Sequence, residues 1–189
     1  MNICIFCSAS DVDERFHSDA IALAGGIARA SHTLVWGGSD TGLMKVCADA
    51  AQANGGKIVG ISMERLRGKA RQNADEMIIA PELAERKALL LKRSDVLVAL
   101  VGGVGTLDEL LEILELKKHR VHDKPVLVLN TDGFYGGLKQ QMETMDHLGF
   151  LPMPLHELVS FVSSATEALD MIKQLEMTMQ STAADSHAG

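Results

Sequence analysis

Asp95-Val96-Leu97-Val98-Ala99-Leu100, running on into Val101-Gly102-Gly103-Val104-Gly105-Thr106-Leu107-Asp108-Glu109, decides the fold. The first part is apolar at every position after Asp95, the pattern of a strand covered on both faces. Three glycines close the strand. Leu107, Leu110, Leu111 and Leu114 then recur at i, i+3, i+4 and i+7, the spacing of an amphipathic helix. Strand, glycine turn and helix in that order make the repeating unit of a parallel sheet.

The same unit recurs on both sides of this stretch. Upstream, strands are predicted at residues 2–6, 33–36, 57–62 and 77–80, with helices ending near Ser31, over 42–53, and over 82–93 behind Pro81. Downstream, strands at 125–130 and 158–162 alternate with helices at 135–148 and 166–177. The alternation predicts an α/β fold: a single Rossmann-like, doubly wound parallel sheet with helices on both faces. At 189 residues the chain suits one nucleotide-binding α/β domain, over residues 1–180. The small, polar end at 181–189 is expected to be a disordered tail. Residues 63–75, with Arg65, Arg67, Lys69 and Arg71, are expected to form a solvated, mobile loop.

Composition narrows the function. Aromatic residues make up 4%, with Trp36 and Tyr135 the single Trp and Tyr, so the core is aliphatic and stacking platforms for single-stranded nucleic acid are lacking. Lys and Arg number 18 against 25 Asp and Glu, a net charge of -7, the wrong sign for a nucleic-acid polymer partner. No apolar run approaches the roughly 20 residues of a membrane span. The start lacks the basic flank and cleavage site of a signal peptide, so a cytoplasmic protein is expected. Cys4 and Cys7 form a C-x-x-C, but with Cys47 the only other cysteine and no second Cys or His pair nearby, buried or loop thiols are expected and no metal site.

Ligands of such sheets sit beyond the carboxyl ends of the strands. Three loops occupy that position: Cys7-Ser8-Ala9-Ser10, Gly37-Gly38-Ser39-Asp40-Thr41-Gly42, and the stretch from Gly102 to Thr106. The last two put glycines at a helix entrance, where free N–H groups and the helix dipole favour a phosphate. The dinucleotide fingerprint fails, since Asp108 stands where the third glycine belongs. The P-loop fails for want of its lysine. NAD and ATP chemistry are thereby disfavoured. Thr106-Leu107-Asp108-Glu109 also spells a capping box, with Thr106 as N-cap and Glu109 reaching back to it. Alternatively Glu109 faces a ligand, while Asp108 points elsewhere and complements the dipole. The motif alone leaves both open.

Gly102-Gly103-Val104-Gly105-Thr106-Leu107-Asp108-Glu109 resembles the P-G-G-x-G-T-x-x-E signature of the LOG (Lonely Guy) family, phosphoribohydrolases often mislabelled as lysine decarboxylases. Glu85-Arg86-Lys87 matches that family's E-R-K motif. The stretch from Gly37 to Met44 resembles its G-G-x-x-x-G-L-M loop, and His122-Asp123-Lys124-Pro125 its H-D-K-P turn. The likeness covers about residues 2–150 in the same order. It implies hydrolysis of the N-glycosidic bond of a nucleoside 5′-monophosphate, of AMP or cytokinin riboside type, to free base and ribose 5-phosphate. Carried over by position, Arg86 and Glu109 are the catalytic pair. Ser8, Gly38, Lys87, Gly102, Gly103, Val104, Gly105 and Thr106 bind the substrate, with no cofactor and no metal. A homodimer or larger homo-oligomer is implied as well, and Met44, Leu89, Leu90 and Leu91 are either its contacts or core.

Four departures from the family pattern stand out. Val101 replaces a proline, Ser8-Ala9 a Gly-Ser, Leu116-Lys117-Lys118-His119-Arg120 a W-x-Q-L-G stretch, and Met63 a proline after the third strand. The same fold holding a nucleotide or phosphometabolite without cleaving it is the alternative. Lysine decarboxylation with pyridoxal phosphate lacks a recognisable Schiff-base lysine. His122 is expected to be structural.

Overall fold

A computed structural model describes residues 1–186. Seven strands, β1 (Asn2–Phe6), β2 (Thr33–Trp36), β3 (Ile58–Met63), β4 (Glu76–Ala80), β5 (Val96–Ala99), β6 (Val126–Leu129) and β7 (Ser160–Val162), form one sheet in the order β4-β3-β2-β1-β5-β6-β7. Every pairing is parallel, as short strands joined through helices require. Neighbouring registers place Ile3 beside Leu34 on one side and Val96 on the other. The Rossmann-like doubly wound sheet is therefore observed.

Alternation along the strands feeds two cores. Ile3, Ile5, Leu34, Trp36, Val96 and Val98 pack under helices α1 (His17–Arg29), α2 (Gly42–Ala53) and α7 (Ala165–Ser186). Cys4, Phe6, Val35, Leu97 and Ala99 pack on the opposite face under α3 (Leu83–Lys92), α4 (Val104–Lys118) and α5 (Gly136–His147), where the short α6 (Leu155–Leu158) also docks. Both cores are aliphatic apart from a few rings. The indole N–H of fully buried Trp36 donates to the Ser39 carbonyl at 3.3 Å, and the Tyr135 hydroxyl donates to the Leu100 carbonyl at 2.7 Å. Met44 and Leu90 are buried, and Leu89 and Leu91 pack against the core, so none of the four is a free oligomer contact. All three cysteines are free, buried thiols.

Three expectations shift. The last strand starts at Ser160 rather than at residue 158, because α6 absorbs the residues before it. Helix α7 runs past Met177 to Ser186 and overlaps the tail expected to be disordered; residues 187–189 lie outside the described residues. Nothing in that run breaks a helix, and the Thr178 and Ser181 hydroxyls donate to the carbonyls of Gln174 and Thr178. The basic segment at 63–75 is ordered, carrying a 3-10 helix over Glu64–Lys69. Among the described residues no helix is long and apolar enough to cross a membrane.

Helix α4 ends in a 6→1 closure, the Val121 N–H donating to the Leu116 carbonyl at 3.0 Å. Arg120 takes the left-handed position inside it, at φ 58, where a side chain crowds its own backbone. Arg120→Gly is expected to stabilise the fold by about 1 kcal/mol. A urea midpoint that stays put or falls would contradict that expectation.

The chain winds outward from β1 to β4, then returns to lay β5 on the other side of β1. Beyond the carboxyl ends of β1 and β5 the two connecting loops diverge and leave a crevice.

Candidate active site

That crevice is a cavity of about 400 Å³. The loop after β1 contributes Cys7, Ser8, Ala9 and Ser10. The entrance of α4 contributes Gly103, Val104, Gly105 and Thr106, followed by Asp108 and Glu109. Arg86 arrives from α3, and Met44, Met63, Leu66 and Leu83 close the apolar side.

Helix α4 starts at Val104, with Gly103 at the cap position and no side chain capping it. The first backbone bond of the helix is Leu107 N–H to the Gly103 carbonyl, at 3.1 Å. The N–H groups of Val104, Gly105 and Thr106 therefore remain free at the cavity wall, at the positive end of the dipole. Thr106 is not the N-cap that its motif suggests. It sits in the first turn, buried, with no protein partner for its hydroxyl among the described residues. Gly102 lies behind the wall, where an added Cβ would collide with Thr106.

Glu109 does not reach back to a cap. It turns inward onto Arg86, whose Nη1 donates to Glu109 Oε1 at 2.5 Å while Nε donates to the Ile61 carbonyl at 2.9 Å. Both side chains are only 7% exposed. Burial raises the Glu109 carboxyl above the usual glutamate value, and the Arg86 guanidinium opposes that rise. The capping box is thus resolved in favour of a buried ion pair at a cavity wall, with α3 and α4 each supplying one member.

Gly37, read from the sequence as part of a phosphate loop, serves this pair. An added Cβ would run into Arg86 Nη2 and the end of Met44. Gly37→Ala is expected to leave the chain folded while displacing the guanidinium, lowering turnover by roughly tenfold to a hundredfold. Turnover within about twofold of the unaltered chain would show that the guanidinium tolerates the shift.

The other glycine-rich entrance, at α2, faces protein. Its Met44 N–H donates to the Ser8 carbonyl at 3.1 Å and the Thr41 hydroxyl to the Ala9 carbonyl at 2.8 Å. Gly42, at φ 56, lets the backbone of Ala9 and Ser10 approach closely. The loop braces the turn after β1 and does not line the cavity. Gly38 packs against Met77 and Ser62 and lies outside the lining. Lys87 lies outside it too, its ammonium ion-paired with Glu112 and, at 3.1 Å, with Asp108. Those two carboxylates hold it above its ordinary pKa, Glu112 contributing most. Asp108 therefore ties α4 to α3, rather than serving the dipole alone. Ser8 does line the cavity, and its hydroxyl accepts the Ser10 N–H at 3.0 Å. His122 is structural: Nδ1 accepts the Lys124 N–H, so Nε2 donates to the Ile113 carbonyl at 2.9 Å.

In the apolar wall, Leu66 and Leu83 carried no sign of a site in the sequence, and Met63 stood out only as a departure from the family pattern. The wall's residues look like any loop or helix aliphatics, and only the winding of the sheet gathers them.

A family model described as "Possible lysine decarboxylase" matches residues 44–172. The chain is 33% identical to cytokinin riboside 5′-monophosphate phosphoribohydrolase LOG3 of Arabidopsis thaliana, over 92% of this chain and 81% of that one. It is 35% identical to LOG5 of the same plant, over 92% and 76%. Among solved structures, the molybdenum cofactor carrier protein of Chlamydomonas reinhardtii superposes with a TM-score of 0.74 at 24% identity, over 93% of this chain and 98% of that one, a likeness of fold. Decarboxylation through pyridoxal phosphate does not fit the residues present. Among the described residues no lysine lines the cavity, and the nearby Lys87 ammonium is locked between two carboxylates. By the matching model and by relatives alike over most of its length, the chain belongs to the LOG family.

Proposed function

We propose that the protein hydrolyses the N-glycosidic bond of a nucleoside 5′-monophosphate, of AMP or cytokinin riboside monophosphate type, to free base and ribose 5-phosphate. The observation that carries this reading is the buried Arg86–Glu109 pair, set in the same cavity wall as the free amides of α4. The phosphoribohydrolase activity for which the Arabidopsis relatives are named supports it.

The 5′-phosphate docks on the N–H groups of Val104, Gly105 and Thr106 and on the Thr106 hydroxyl, with Ser8 alongside. Lys87 and Gly102 act from behind, shaping this wall rather than touching the substrate, and Gly38, beside Met77 and Ser62, supports the site from the β3 side. As the C1′–N bond breaks, its electron pair leaves with the base and positive charge develops on the ribose. The Glu109 carboxylate faces that charge and accepts a proton from the attacking water, whose oxygen bonds to C1′. The released base takes up a proton. Arg86 keeps Glu109 ionised in its buried setting and offers its remaining N–H groups to a ribose oxygen.

The protein works as one nucleotide-binding domain over residues 1–180, in the cytoplasm, without cofactor or metal. It acts as a homodimer or larger homo-oligomer, through the exposed Val104 and Leu83 at the cavity and Leu111 further along α4.

Incubation with AMP, GMP, CMP, UMP and isopentenyladenosine monophosphate, with free base and ribose 5-phosphate quantified by chromatography, tests the reading. Equimolar base and sugar phosphate are expected. Tight binding with no release from any of the five would establish a nucleotide-binding protein of the same fold instead.

A further inference from the structure

Two walls of the cavity come from strands well separated in the sheet. The α4 entrance follows β5, while Met63 ends β3 and Leu66 follows it, three strand spacings away, on the order of 14 Å. With the phosphate docked on α4 as proposed above, Met63 and Leu66 line the far side of the cavity, open to the base. Leu66 lies within a segment of 3-10 helix, Glu64–Lys69, which Met63 precedes; the segment packs few apolar side chains of its own and contains no buried residue.

What holds that segment is polar and lies just beyond it. Arg71 is buried although three of its neighbours in charge, Arg65, Arg67 and Lys69, are exposed. Its Nη1 donates to Asp40 at 2.7 Å, and its Nη2 to Asp49 and Gln52 at 2.6 Å each. Gln52 in turn donates to the Asn73 carbonyl at 2.6 Å. The backbone closes the same seam, with Arg71 N–H to the Gly38 carbonyl at 2.9 Å and Asp40 N–H to the Lys69 carbonyl at 2.8 Å. A planar fork satisfied on both arms by groups from α2 and its entrance fixes position as well as charge.

We propose that Arg71 is a positioning residue: it straps the 64–70 segment to α2 so that Leu66, beside Met63 at the end of β3, completes a fixed apolar wall against the base of the substrate. The proposal rests on the phosphoribohydrolase reading for the identity of that substrate. The strap does not touch the α4 entrance, so the amides proposed to hold the phosphate lie outside it. Recognition is thereby divided, with phosphate read by rigid helix amides and base by a surface whose order depends on one buried guanidinium.

Limited trypsin digestion of Arg71→Met, with cut sites mapped by mass spectrometry, reads the strap without reference to activity. Cleavage after Arg65, Arg67 and Lys69 is expected to accelerate by roughly tenfold, because a segment released from its anchor opens locally. In parallel, KM for AMP is expected to rise on the order of tenfold with kcat changed less than about threefold. The inhibition constant of ribose 5-phosphate, which lacks the base, should not move. Unchanged cleavage, or AMP and ribose 5-phosphate weakening together, overturns the proposal. Should Arg71→Met fail to fold, Asp40→Ala, at an exposed position, decides it by the same readouts. If the unaltered protein cleaves no nucleotide, the function reading has failed. Digestion and the calorimetric Kd of AMP against ribose 5-phosphate then still decide the strap.

Discussion

Glu109→Gln is expected to abolish base release almost completely, lowering kcat by about a thousandfold, while the affinity for the nucleotide changes little. The substitution keeps the size of the side chain and an oxygen for the Arg86 bond at 2.5 Å, but removes the negative charge that faces C1′. It also leaves the buried guanidinium without its counter-charge, at a cost of about 3 kcal/mol in stability. Rates therefore have to be read with circular dichroism beside them. A folded variant retaining a tenth or more of the rate would move the catalytic role to another group.

Arg86→Met carries the second large effect, and it falls on the fold as much as on turnover. With the guanidinium gone, Glu109 loses the main group opposing the rise in its pKa that burial already causes, and only the smaller influence of Lys87 still counters it. Breaking such a pair costs about 3–5 kcal/mol at neutral pH. The cost depends on pH in a defined direction. A carboxyl whose folded pKa lies above its unfolded value of 4.5 binds the proton more tightly when folded. Its contribution is fully present below pH 4.5 and is lost as pH rises through the folded value. The deficit of the variant against the unaltered chain is therefore largest at neutral pH and shrinks on acidification. Urea denaturation at pH 7.5 and pH 5 measures it, and a deficit equal at both would mean that Glu109 finds another partner. Turnover should fall with the fold intact, because the pair's second member is missing from the cavity wall.

The order and type of the long elements were legible because each carries its own period. The continuous apolar run of β1 and the i, i+3, i+4, i+7 leucines of α4 depend on nothing distant. The glycine-rich entrance of α4 was legible for a related reason: glycine at a helix entrance has a local cause. Arg86 and Glu109 were identified only through the likeness of their motifs to a family. Spacing alone left Glu109 divided between a cap and a ligand. What decided it was a contact across 23 residues, from α3 to α4, that no local pattern encodes. Gly37 shows the opposite failure, a glycine assigned to a phosphate that in fact clears space for an arginine. Arg71 was read as solvated because its neighbours are; its acceptors, Asp40, Asp49 and Gln52, come from an element earlier in the chain.

The central place of β1 also has a consequence for the newborn chain. Ile3 pairs with Val96, so one side of the first strand made has no partner until more than ninety further residues have been added. At about 5–20 residues per second, that open flank persists on the ribosome for about 5 to 20 s. During that time an apolar strand edge is available to other chains, which makes this interval the point of greatest exposure to misassembly. The same delay keeps the buried Arg86–Glu109 pair from existing in any unfinished copy, since Glu109 follows β5 and meets Arg86 only after the gap beside β1 is filled.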